Sequence, residues 1–353
     1  MLIYWLNFIS IILMGILFLN NRNKRFYYVS FIIIVIIQIC ISALRNRMVG
    51  VDTPVYTDRF IPEITIKTLK TIWIEEKDPF FYILIKLIRY LGDSYSIYFT
   101  ALALIFWSLT AVTIKKYGAN IFLSFLVFIA YRFSDFPMNA MRQGVAIAIV
   151  FFSFRYIVEK KLILFSITII VASFFHKSAL IFLPAYFFQF ININKYWRYL
   201  PFIILFFLIA KDFLYNNIFS LLFDVDSNYE VYAIVKDEHG ILYYVLYLVS
   251  FTICYMFVGR LKNNRKVAIL LNLTFIGVLF QTICLVNPLF NRISIYFSQF
   301  FALLIPYICF SMGIRSNYSH AFFFWVFFLL SLYILGGPAP GIVPYSFFWQ
   351  VPK

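Results

Sequence analysis

The sequence predicts an all-α polytopic integral membrane protein with about twelve transmembrane helices, and three observations carry that prediction. Of its 353 residues, 63% are hydrophobic and 22% aromatic, with only 13% charged. That is more apolar surface than a soluble domain of this size can bury. Apolar runs of about 18–20 residues, each what one bilayer crossing needs, recur from end to end. Finally, nearly half of the Lys and Arg behind the net charge of +15 sit in short loops between those runs. Basic residues so placed set membrane topology and do not make a nucleic-acid surface.

Taken in order, the candidate crossings are 2–20, 26–44, 94–113, 119–133, 138–158, 162–175, 178–191, 199–215, 241–259, 267–286, 293–314 and 318–336. The first has no basic leader and no small-residue cleavage site, so it reads as a retained span. The pair 162–175 and 178–191 is short. A helix of ~14 residues rises ~21 Å against a hydrocarbon core of ~30 Å. The pair therefore reads as broken or steeply placed helices around a cavity. All four cysteines lie inside apolar runs and read as small core residues. No internal repeat and no soluble domain is visible. The whole chain, 1–353, reads as a single transmembrane domain with outer loops at 45–93 and 216–240.

Orientation follows from the loops. NNRNKR (Asn20–Arg25) holds three cations and no acid. If it is cytoplasmic, the loops KKYG, EKK, NKYWR and GRLKNNRK also fall inside. Together with Arg315 they hold 14 Lys and Arg against one acid, Glu159. The outer segments are far longer and hold the other 14 acids, so cation density is higher inside. Both termini then lie outside. This assignment requires that Asp78–Gly92, with Lys86 and Arg89, does not cross but lies at the outer interface as an amphipathic helix.

Four sequence-distant polar clusters now share the outer face, where ionisable groups at membrane depth point to function. In SDFPMNAMRQGVAIAIV (Ser134–Val150), Pro137 suits the first helical position, with Ser134 or Asp135 near the cap. Asn139, Arg142, Gln143 and Ala146 then share one face at a helix N-terminus, where free N–H groups favour an anion. Arg142 adds a forked donor suited to phosphate; on its own it reads equally as a snorkelling anchor. Ala140, Gly144 and Ala148 form a small-xxx-small stripe for a neighbouring helix. His176 is a candidate general base or hydrogen-bond donor to a phosphate oxygen, or else a satisfied interfacial histidine. Asp52 in GVDT is the other candidate base, or else a turn cap. Arg45 and Arg47 suit a diphosphate site or the end of a span. Arg292 and Tyr296, at i and i+4 in NRISIYF, extend the same set. Asp224 and Asp226, in DVD, can hold a divalent metal, but three residues are a weak signal. No Cys/His metal spacing, phosphate loop or nucleophile elbow is present.

The ordered set GVDTPVY (Gly50–Tyr56), DPFFYILIKLI (Asp78–Ile88), MRQGVAIAI (Met141–Ile149), FFHKSALIFLP (Phe174–Pro184) and NRISIYF (Asn291–Phe297) resembles the EpsG-like polysaccharide polymerases. These are Wzy-type proteins that polymerise exopolysaccharide, capsule or O-antigen repeat units. The resemblance implies a GT-C-like membrane glycosyltransferase in a bacterial cytoplasmic membrane, with its site facing outward. It implies undecaprenyl-diphosphate-linked glycans as donor and acceptor. A non-reducing-end hydroxyl would attack C1 of the growing chain, releasing undecaprenyl diphosphate. Within that chemistry Asp52, His176 and Arg142 are the catalytic candidates. Arg45, Arg47, Arg142, Arg292, Asn139, Gln143 and Tyr296 are candidates for the diphosphate. No cofactor and no metal is required if arginines neutralise the leaving group. Expected partners are the bilayer, a flippase and a chain-length regulator, and no nucleic acid. A lipid-linked oligosaccharide flippase and a membrane O-acyltransferase acting on surface glycans are the alternatives.

Overall fold

The structure is a computed structural model that describes residues 1–21, 23–191, 196–219, 240–315, 317–337 and 341–350. It is all-helical among these residues, apart from an isolated bridge between Arg45 and Phe347. In chain order the α-helices begin with α1 (Leu2–Asn21) and α2 (Lys24–Ala43). Four short pieces follow: α3 (Thr53–Val55), α4 (Ile61–Ile66), α5 (Leu69–Glu75) and α6 (Pro79–Ile88). Then come α7 (Tyr95–Tyr117), α8 (Ile121–Ala130), α9 (Phe136–Asn139), α10 (Met141–Val158) and α11 (Leu162–Phe175). The remainder is α12 (Leu200–Leu214), α13 (Gly240–Phe257), α14 (Arg265–Ile283), α15 (Asn291–Ser298), α16 (Phe301–Arg315) and α17 (Tyr318–Leu335).

The protein is a multi-pass membrane protein, but the described residues do not yield twelve long spans. Seven helices are long and apolar enough to cross: α1, α2, α7, α10, α12 with its following turn, α14 and α17. The bent pair α15–α16, with a 43° angle at its break, makes an eighth. The expected span 119–133 is only ten helical residues in α8, and 162–175 is the fourteen-residue α11. The segment 178–191 is a 3-10 helix, Lys177–Phe190, with Pro184 inside it. At ~2 Å per residue its fourteen residues extend ~28 Å, close to a full hydrocarbon core despite the low residue count. The DVD motif lies outside the described residues.

Local chemistry explains the helix starts. Side chains of Asn23, Asn120 and Asn264 accept from backbone N–H groups in the first turns of α2, α8 and α14. Pro79 opens α6, where its missing N–H costs nothing. One expected helix is broken. Residues 138–158 do not run continuously, because α9 ends at Asn139 and α10 restarts at Met141. Gly144 makes the break possible: a Cβ there would stand 2.5 Å from Pro137 Cβ and 2.8 Å from its Cα. The small residue thus receives the preceding turn. The break also means that Asn139 does not continue the face of Arg142 and Gln143.

The described chain divides into two compact units. One comprises Met1–Leu180 with Val326–Lys353, the other Ile181–Trp325. In the first unit the two ends of the bundle differ in chemistry. At one end Lys116, closing α7, pairs with Glu159 after α10 at 2.9 Å. Lys115 lies 5.3 Å from the Tyr28 ring at the start of α2. The start of α2 and the loops KKYG and EKK therefore share this end. At the other end Arg45, after α2, lies 4.4 Å over Phe99 at the start of α7 and reaches the Met138 carbonyl before α10. Helices α7 and α10 thus run parallel, and the polar residues of interest gather opposite the basic loops.

Candidate active site

The site begins with the position of Arg142 in the first turn of α10. Its Nη1 donates to Asp78 Oδ2 at 2.9 Å and to the Tyr82 hydroxyl at 3.4 Å. Its Nε donates to the Tyr56 hydroxyl at 3.1 Å. The rings of Tyr56, Phe60 and Tyr82 all lie within 5.9 Å of the guanidinium carbon, close enough for cation–π attraction. These contacts commit Nε and Nη1. Nη2 has no acceptor among the described residues, and a quarter of the side chain remains exposed.

Asp78 is the hinge of the arrangement. It precedes Pro79 at the start of α6, and its side chain makes no capping bond. The carboxylate, 5% exposed, instead turns into the bundle. Its Oδ2 is shared between Arg142 and His176 Nδ1, the latter at 3.4 Å. His176 ends α11 and opens the 3-10 helix, with extended backbone and its N–H on Ala172 O. A carboxylate paired with arginine only accepts, so the His176 proton sits on Nδ1. Nε2 is then left as a base, without a hydrogen bond to any described residue. The packing that fixes this geometry is apolar. Tyr56, Phe81, Tyr82, Ile85 and Ile88 form one cluster with Tyr98, Phe99, Met141 and Val145. Burial pushes the Tyr82 hydroxyl up to about 12, so at neutral pH it stays protonated beside Arg142. Helix α6, ten residues and about 15 Å long, is too short to cross and packs its apolar face on α7 and α10.

The other candidates are distributed as follows. Asp52 is half-buried and precedes α3 without a side-chain capping bond; its carbonyl accepts from Tyr56 N–H at 3.2 Å. Asn139 Oδ1 accepts from Val51 N–H at 2.8 Å and holds the GVDT loop against α9. Arg45 is 3% exposed and turned into the protein. It donates to Ser42 O at 2.9 Å and Met138 O at 3.3 Å. Its buried Nε has no partner, and the residue lines a cavity of about 20 Å³, room for one water. Burial lowers its pKa to about 10, which leaves it charged at neutral pH. Arg47 forms an exposed pair with Asp58 at 2.6 Å. Gln143 is buried. Arg292 and Tyr296 stand on α15 in the second unit, the tyrosine fully buried. The structure thus brings Arg142 and His176 together and adds Asp78, Tyr56 and Tyr82. In sequence Asp78 had the look of a helix-start residue before proline; its partners lie 64 and 98 positions away. Among the described residues no group of three or more His, Cys, Asp and Glu could hold a metal ion.

An all-helical, multi-pass membrane protein with an Arg–Asp–His cluster built on a buried aspartate at one end of a helical unit is the class that fold and site define. The sequence model of the EpsG family matches residues 28–347, and the chain belongs to that family. Membership suggests a polysaccharide polymerase-like role, with lipid-linked glycans as substrates in a membrane. No curated protein and no solved structure matches the chain.

Proposed function

We propose that the protein is a GT-C-like polymerase joining undecaprenyl-diphosphate-linked repeat units at the outer face of a bacterial cytoplasmic membrane. The observation that carries this reading is the Asp78 carboxylate bridging Arg142 and His176. One bridge holds a guanidinium with Nη2 left for a phosphate and a base on the same anchor. His176 Nε2 takes the proton from the acceptor hydroxyl as that oxygen attacks C1 of the growing chain. The bond from C1 to the diphosphate oxygen breaks, and the electron pair leaves with undecaprenyl diphosphate. Arg142, through its free Nη2 edge, stabilises the charge that builds on that leaving group. Asp78 neither donates nor accepts in the bond change; it orients both partners. Asp52, in the GVDT loop one turn before Tyr56, is a second candidate base, and Arg47, just ahead of that loop, a second candidate for the diphosphate. Arg45 and Asn139 act by fixing that loop against α9. Gln143 lies one residue beyond Arg142, and Arg292 with Tyr296, on α15 of the second unit, is a separate candidate for binding a diphosphate. Orientation is supported by the shared end of the basic loops, opposite the cluster.

Arg142→Ala tests the reading in cells. Long-chain polymer disappears while protein level is unchanged, and Arg142→Lys rescues poorly because lysine lacks the fork. Normal chain length in Arg142→Ala would remove Arg142 from the mechanism, and normal chain length in Arg142→Lys would remove the need for a guanidinium there.

A further inference from the structure

We propose that Trp73, Phe80 and Phe174 seat the first isoprene units of a polyprenyl diphosphate beside the polar cluster, and that its chain runs on along the exposed face of α11. This rests on the anion-site reading above and adds the lipid half of the ligand. In each of two segments an aromatic ring stands two residues from a member of the cluster: Phe80 from Asp78, Phe174 from His176. The two rings stack with centroids 4.7 Å apart. Trp73 closes on both, at 5.9 Å and 5.6 Å, and is still 51% exposed. The neighbouring Phe175 packs edge-on against Phe80 at 5.8 Å and ties the stack to the core cluster that holds Met141 and Val145.

Below this stack lies a continuous apolar stripe. Ile163, Ile167 and Ile170 on α11 are 75%, 52% and 45% exposed. Their spacing to Phe174 is i, i+4, i+7, i+11, one face of the helix. Eleven residues at ~1.5 Å make the stripe ~16 Å long, about half the hydrocarbon core. Bulk lipid covers any exposed helix face in a membrane. This face ends, however, on stacked aromatic rings adjoining an arginine-held site. A diphosphate on Arg142 carries a prenyl chain that must leave toward the hydrocarbon. The methyl-branched, unsaturated chain offers flat apolar surface to those rings. A sugar ring on the same shelf would want polar side chains around its hydroxyls. Exposed Leu69 and Ile74 flank Trp73 on α5 beside Lys70 and Glu75, so it is the aliphatic stripe of α11, Ile163, Ile167 and Ile170, that favours the prenyl chain.

The test uses purified full-length protein in phosphatidylcholine–phosphatidylglycerol nanodiscs. Two unreactive probes are titrated, undecaprenyl diphosphate and inorganic diphosphate. Wild type binds the lipid more tightly. Trp73→Ala loses about tenfold of the lipid affinity and none of the affinity for inorganic diphosphate. Phe174→Ala behaves alike, and Trp73→Phe keeps most of the lipid binding. Equal losses on both probes, or no loss on either, overturn the proposal. So does a wild type that binds the lipid no better than inorganic diphosphate, which leaves the anion site standing. A wild type that binds neither probe overturns the anion site itself.

Discussion

Asp78→Asn separates the anchor from the groups it anchors. The substitution keeps the size of a side chain that is 5% exposed and removes its charge. Arg142 keeps its two tyrosine hydroxyls at 3.1 and 3.4 Å but loses a charge-assisted bond at 2.9 Å. Breaking a fully buried ion pair costs about 3–5 kcal/mol. Here Arg142 is a quarter exposed and the amide oxygen still accepts one bond, so the expected loss is about 1–2 kcal/mol. The effect on rate is larger than that. Without the carboxylate, nothing holds the His176 proton on Nδ1, and general-base help worth about 10²–10⁴ is lost. The assay pairs initial polymerisation rate in proteoliposomes with thermal unfolding in detergent. We expect a modest fall in Tm and a rate at least a hundredfold lower, roughly the lower bound for general-base help. The double variant Asp78→Asn/His176→Gln should be little worse than either single one, since both act through one base. A rate within threefold of wild type, roughly 0.7 kcal/mol, would refute the role.

Two further predictions concern the scaffold. Gly144→Ala puts a methyl 2.5 Å from Pro137 Cβ and 2.8 Å from its Cα. It should cost about 1–3 kcal/mol in stability, measured by thermal or denaturant unfolding, and lower activity through the displaced Arg142 turn. An unchanged Tm would mean that the α9–α10 break is not held by this contact. At the basic end, hydrogen bonds from Lys116, then Lys161, lower the Glu159 carboxyl to about 2. A depressed carboxyl stabilises the fold above its unfolded value of about 4.3 and ceases to as pH falls through about 2. The Tm gap between wild type and Glu159→Gln should therefore hold from pH 7 to 5 and close toward pH 2. It should correspond to no more than about 1 kcal/mol for this partly exposed pair. A gap independent of pH would contradict the assignment.

Much of this was legible in the chain because lipid imposes simple rules. Each apolar run became helical, two of them as broken pairs, and the start of α2 and the loops KKYG and EKK came to one end, in line with the cation density. Arg142 and His176 stood out because charge is rare in such a background. Asp78 did not, since an aspartate before proline has an ordinary local explanation and its real partners are far away in sequence. The break at Ala140 was hidden for a related reason. Gly144 looks like a helix–helix contact by spacing, and only the folded turn reveals that Pro137 occupies the gap. Seven to eight long spans stand among the described residues against the twelve expected, because run length does not fix helix length: the run 119–133 gives the ten residues of α8 and 178–191 a stretched 3-10 segment.

The most direct test of the central claim is product length in a reconstituted system. Purified wild-type protein in proteoliposomes would receive undecaprenyl-diphosphate-linked repeat units, with and without a metal chelator, and the lipid-linked glycans would be resolved on a gel. The account predicts a ladder at multiples of the input unit, unchanged by the chelator and absent from His176→Gln. A single band at the input length, from folded wild-type protein given its own repeat unit, would contradict it.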